Sequence, residues 1–98
     1  MQINEFQEQL DASLTMVDVW APWCGPCRTL TPIIEKVSAE KNVKLLKVNA
    51  DESGELATSF GVRGIPTVIF FKDGQEVDRV VGLKQEATYN EVINKHLN

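Results

Sequence analysis

This chain has few of the residues that usually carry metal, membrane or nucleic-acid chemistry. Its 98 residues include one histidine and two cysteines, so a tetrahedral zinc site would have to draw ligands from two copies. No apolar run approaches the ~20 residues needed to cross a bilayer. Basic residues are outnumbered, with 10 Lys and Arg against 14 Asp and Glu and a formal charge of −4. That balance argues against nucleic acid or an anionic membrane surface as partner. The first residues, MQINEFQEQL, lack the basic start and apolar stretch of a secretory leader. A cytoplasmic location is therefore expected, although a mature form with its leader removed would read the same. Internal repeats, low-complexity tracts and linkers are absent as well.

What remains is an ordinary globular composition, 43% hydrophobic and 24% charged, which does not suit a disordered chain. The length suits a single domain over residues 1–98 with one core. Residues 5–13 place Phe6 and Leu10 at helical spacing among polar neighbours, so a short surface helix is predicted. Residues 14–21, LTMVDVWA, form an apolar run broken by one carboxylate and read as a strand covered on both faces. From Gly25 the period changes to helical, with Leu30, Ile33, Ile34 and Val37 on one face and an end near Lys41-Asn42. Pro32 falls inside that helix and predicts a kink. A strand over 43–50 follows, then a helix over 54–60. Next come two strands, 67–72 and 76–82, joined by a Lys72-Asp73-Gly74 turn that signals an antiparallel hairpin. Tyr89, Val92, Ile93 and Leu97 mark the inner face of a closing helix. This order predicts an α/β mixed sheet with helices on both faces.

Both cysteines and both tryptophans lie in Trp20-Ala21-Pro22-Trp23-Cys24-Gly25-Pro26-Cys27. A disulfide across so short a loop removes little entropy from the unfolded chain, and structural disulfides are rare in a reducing cytosol. Cys24 sits where a strand gives way to a helix. Unpaired N–H groups and the helix dipole there favour thiolate over thiol. Cys27 follows three residues later, so the helical turn carries its sulfur toward Cys24. The pair can then act in sequence. Cys24 attacks a foreign disulfide, and Cys27 displaces the product and leaves the pair oxidised. Gly25 keeps Cys24 unobstructed, and Pro26 occupies the first turn, where its missing N–H costs nothing.

With these residues in view, the chain resembles the thioredoxin family. WCGPC is that family's active-site motif, and Val17-Asp18-Val19-Trp20-Ala21 resembles its buried strand. Gly61-Val62-Arg63-Gly64-Ile65-Pro66-Thr67 resembles its cis-proline loop, and Phe71-Lys72-Asp73-Gly74 its hairpin. The resemblance runs from about Phe6 to Leu97 and implies the thioredoxin fold. It implies a protein-disulfide reductase with no metal or organic cofactor, because the cysteine pair stores the two electrons. It also implies disulfide-containing client proteins and an NADPH-linked flavoprotein reductase as partners, with the chain itself a monomer. Gly-Pro between the cysteines is similar to the reducing members. Only Met1-Gln2-Ile3 stand where the family has its first strand, so that strand is expected to be vestigial or absent, leaving about four main strands.

The resemblance also assigns supporting residues, each with a plainer alternative. Asp18 could be a solvent-facing charge, but Met16 and Trp20 flank it on one face and Val17 and Val19 on the other. A carboxylate buried there has its proton affinity raised and can take the Cys27 proton. Lys47, in phase with Val43 and Leu45, is either a snorkelling lysine or an electrostatic partner of Asp18. The resemblance makes the Ile65-Pro66 bond cis and sets Pro66 beside the cysteines. Trp23, Gly64, Ile65 and Gly82 form an expected apolar docking rim, with Trp20 the core tryptophan. Arg28 and Lys36 read as solvated helix charges, and His96 as a helix-end residue, not a ligand. Two other readings stay open: a binding subunit that uses the same rim, and an oxidant or isomerase.

Overall fold

The computed structural model describes residues 1–97. Its elements in chain order are α1 (Ile3–Gln9), β1 (Thr15–Trp20), α2 (Gly25–Lys41), β2 (Lys44–Asn49), α3 (Gly54–Ser59), β3 (Thr67–Lys72), β4 (Gln75–Val81) and α4 (Glu86–His96). The four strands form one mixed sheet in the order β2-β1-β3-β4. β1 runs parallel to β2 and antiparallel to β3, and β3 pairs antiparallel with β4. Among the described residues no strand precedes α1, so the sheet has the four strands expected. β2 is consequently an edge strand.

Alternation along the strands divides the core between the two sheet faces. Met16, Val68, Phe70 and Val80 join Leu30, Ile34 and Val37 of α2 and Tyr89 and Ile93 of α4 on one face. Val17, Val19, Val48, Ile69 and Phe71 join Phe6 of α1 and Leu56 of α3 on the other. β1 is apolar on both sides because it lies inside the sheet with helices above and below.

Local chemistry sets the element ends. The first helix starts and stops earlier than its apolar spacing suggests. Asp11 Oδ1 accepts from the Ser13 N–H at 2.8 Å, a local turn that competes with further helix. α2 continues through Pro32, which denies the Arg28 carbonyl its i+4 donor. It stops at Asn42, whose left-handed backbone (φ 55°) a short polar side chain tolerates. Asp73 and Gly74 both have positive φ, 53° and 77°, as a two-residue hairpin turn requires. Leu97 departs from expectation. It follows the last turn of α4 and is 48% exposed, so Tyr89 and Ile93 anchor that helix without it. None of the helices among the described residues is long and apolar enough to cross a membrane.

Candidate functional site

β1 ends at Trp20, and the chain crosses Ala21-Pro22-Trp23 before α2 begins at Gly25. Cys24 is the N-cap of α2. It is 5% exposed and joined to Cys27 by a disulfide, with their Cα atoms 5.3 Å apart. The Cys27 backbone N–H points at Cys24 Sγ, 3.2 Å away. A donor in that position, at the positive end of a 17-residue helix, favours negative charge on the sulfur once the disulfide is opened. Pro26 lies in the first helical turn and is exposed beside Gly25. The two sulfurs pack with Ala21, Trp20 and Ile65. Trp20 is thus half-buried against the cysteine pair, because the strand end carries it past the main core.

The Ile65–Pro66 bond is cis, and Pro66 is buried. The Pro66 carbonyl accepts from the Gly82 N–H at 2.8 Å, tying the Pro66 loop to the end of β4. Gly82 has φ 87°, a backbone that a side chain would strain. Its carbonyl accepts from the Tyr89 hydroxyl at 3.4 Å, and that hydroxyl accepts from the Lys84 N–H at 3.2 Å. The Gly82 loop is therefore held from α4.

Trp23 is 69% exposed. Its indole N–H donates to Asp51 Oδ1 at 3.2 Å, which fixes the ring over a groove of about 490 Å³. Trp23, Gly64 and Ile65 line this groove together with Ala57, Val62 and Arg63. Three of the expected rim residues thus share one surface, while Gly82 adjoins it through its bond to Pro66. Asp51 went unrecognised in the sequence, where nothing marks a loop carboxylate, and Val62, though part of the Pro66 loop, was not given a place in the rim. Arg28 turns its guanidinium to the Pro22 carbonyl, 3.1 Å away.

Asp18 is 1% exposed, and no group among the described residues hydrogen-bonds either carboxylate oxygen. Burial raises its pKa from 3.8 to about 6, with Lys47 opposing the rise and Glu35 adding to it. Asp18 and Lys47 are register partners on adjacent strands. Lys47 shares the α2 side of the sheet, as its phase implies, but an edge strand leaves it exposed. Its ammonium lies 2.8 Å from Glu35 Oε2. The sequence offered one hint of Glu35: it follows Cys27 by about two turns of α2. His96 Nε2 lies 3.1 Å from Asp78 Oδ2, pinning α4 to β4. No group of three or more metal-binding side chains occurs among the described residues.

Comparison with known proteins gives a consistent result. A family model described as thioredoxin matches residues 1–95. The thioredoxin of Chlamydia pneumoniae is 49% identical over 94 residues, 95% of this chain and 92% of that protein. Thioredoxin 1 of Synechococcus elongatus is 46% identical over 94 residues, 93% of this chain and 88% of its own. Among solved structures, Malassezia sympodialis thioredoxin superposes with a TM-score of 0.87 at 35% identity, covering 99% of this chain and 87% of that one.

Proposed function

The chain belongs to the thioredoxin family and is a thiol–disulfide oxidoreductase; from that premise we propose a division of labour among its site residues. Cys24 is the nucleophile, and its thiolate attacks one sulfur of a client disulfide. A bond forms between Cys24 and that sulfur, and the client's other sulfur leaves as a thiolate. The Cys27 thiol then gives its proton to the Asp18 carboxylate. The resulting thiolate attacks Cys24 Sγ, closes the Cys24–Cys27 bond and expels the client's remaining thiolate. Two electrons pass to the client, and the chain is left in the disulfide form of the present structure.

The observation that carries the Asp18 role is a buried carboxyl with no hydrogen-bonding partner among the described residues and a pKa near 6. A proton acceptor works best when its affinity lies near the working pH. Asp18 meets that condition, and an exposed carboxylate would not. Lys47 assists by moderating the cost of charge on Asp18. The groove beside Trp23, Gly64 and Ile65 suits an extended client segment, with Gly25, Pro26, Pro66 and Gly82 around it. The electrons return from a reductase, which in this family is usually a flavoprotein drawing on NADPH. The site of action proposed is the cytoplasm, and the working form a monomer without metal or organic cofactor.

Insulin reduction tests the assignment. Cys24→Ser should abolish turnover, whereas Cys27→Ser should trap a mixed disulfide with the client through Cys24. Full turnover by Cys24→Ser, or trapping through Cys27, would overturn the roles given to the two sulfurs.

A further inference from the structure

Lys47 stands opposite Asp18 in the β1–β2 register, on the same side of the sheet. A lysine so placed would ordinarily pair with the buried carboxylate. Here it does not. The ammonium sits 2.8 Å from Glu35 Oε2, and both Asp18 oxygens lack a hydrogen-bonding partner among the described residues. We infer that Glu35 is a positioning residue for the thiol exchange: it holds the Lys47 ammonium at its own carboxylate on α2 and so keeps the Asp18 carboxyl unpaired. This rests on the reading of Asp18 as proton acceptor and adds how its surroundings are kept suitable for that work.

The physical case follows from what pairing would do. A carboxylate paired with an ammonium is a weaker base, because the nearby positive charge favours the ionised form. Asp18 bound to Lys47 would have its pKa drawn down from about 6, and with it the affinity that lets the carboxylate take the Cys27 proton. Glu35 opposes this in two ways. It draws the ammonium away, and its own negative charge disfavours ionisation of Asp18, in keeping with the directions in which Lys47 and Glu35 act on that carboxyl. Other groups around Asp18 do not compete for these roles. Tyr89 of α4 has its pKa raised by burial and stays neutral over the relevant range. β3 sets the apolar Val68 opposite Asp18. Because Lys47 and Glu35 are both partly solvent-exposed, the expected effect is modest.

The test is a carbon-detected NMR titration of the Asp18 carboxyl in the oxidised protein, with Asp18→Asn used to assign the signal. Glu35→Gln should lower the titration midpoint by about half a pH unit, and Lys47→Gln should raise it. In the Lys47→Gln background, adding Glu35→Gln should move the midpoint by less than half as much. An unchanged or raised midpoint in Glu35→Gln overturns the inference. So does an equal drop with and without Lys47, which would mean direct repulsion alone. The acceptor reading fails separately if Asp18→Asn leaves the pH profile of the Cys27 resolving step unaltered. The NMR midpoints would still decide the role of Glu35 in that case.

Discussion

Asp18 shows how one residue can be costly to the fold and useful to the site. Its ordinary pKa is 3.8, and burial raises it to about 6 in the folded protein. Across that window the folded state holds a proton that the unfolded chain has released. Stability therefore declines as pH rises from about 4 to about 6 and stays at the lower level above it. The difference corresponds to roughly 3 kcal/mol at pH 7 and above. Asp18→Asn should recover much of that at pH 7.5 and almost none at pH 3.5, while slowing resolution by Cys27. Urea unfolding at the two pH values checks this, and an equal gain at both would exclude a titrating Asp18. The run LTMVDVWA already marked the carboxylate as out of place. Lack of a pairing group was not legible, because Lys47 looked available and its true neighbour lies on a different element.

At the scale of elements, most of the architecture follows from local chemistry. The Asp73-Gly74 turn, the helical period after Gly25 and the apolar run of β1 each point to the element observed. The end of α2 is the sharpest case. Asn42 holds a left-handed backbone, and the Val43 N–H beyond it donates to the Ser38 carbonyl at 3.0 Å. Asn42→Ala should destabilise the protein by about 1 kcal/mol, whereas Asn42→Gly should be neutral or slightly stabilising. Thermal unfolding of the two variants measures the difference, and the order Ala above Gly would contradict the backbone conformation. Element ends were less readable where two local preferences compete. Apolar spacing extends the first helix to Ser13, yet the Asp11–Ser13 turn ends it sooner. The same spacing assigns Leu97 to the inner face of α4, although the helix has ended before reaching it.

For the molecule as a whole, α1 is tied to the sheet through an aromatic cluster. Phe6 is the buried residue of α1, and Ile3 and the following Leu10 pack partly against the same core. The Phe6 ring meets Phe60 edge-on at 5.1 Å and Phe71 at 5.3 Å. Phe60 also receives Arg79 on its carbonyl at 2.7 Å, which links α3 to β4 behind the same cluster. Phe6→Ala should cost about 3–5 kcal/mol, a large share of the ~5–15 kcal/mol available to a small domain. The cysteine pair belongs to a separate packed group, so the folded fraction should keep its rate of Cys24 alkylation after reduction. Urea midpoints and alkylation kinetics on the same variant test both halves. A loss below 1 kcal/mol would mean that α1 is held by something else.

Sequence alone determined the element order, the mixed sheet, the reactive pair and the misplaced carboxylate. Each of these is written in neighbouring residues, through periodicity, turn chemistry and the position of a helix start. Tertiary structure decided what depends on residues far apart in the chain. It made β2 an edge and so exposed Lys47, and it drew Glu35 of α2 to that ammonium. It brought Asp51 to Trp23 and joined Val62, Arg63 and Ala57 into one groove. Charge and contact act through space, and only the folded chain sets those distances.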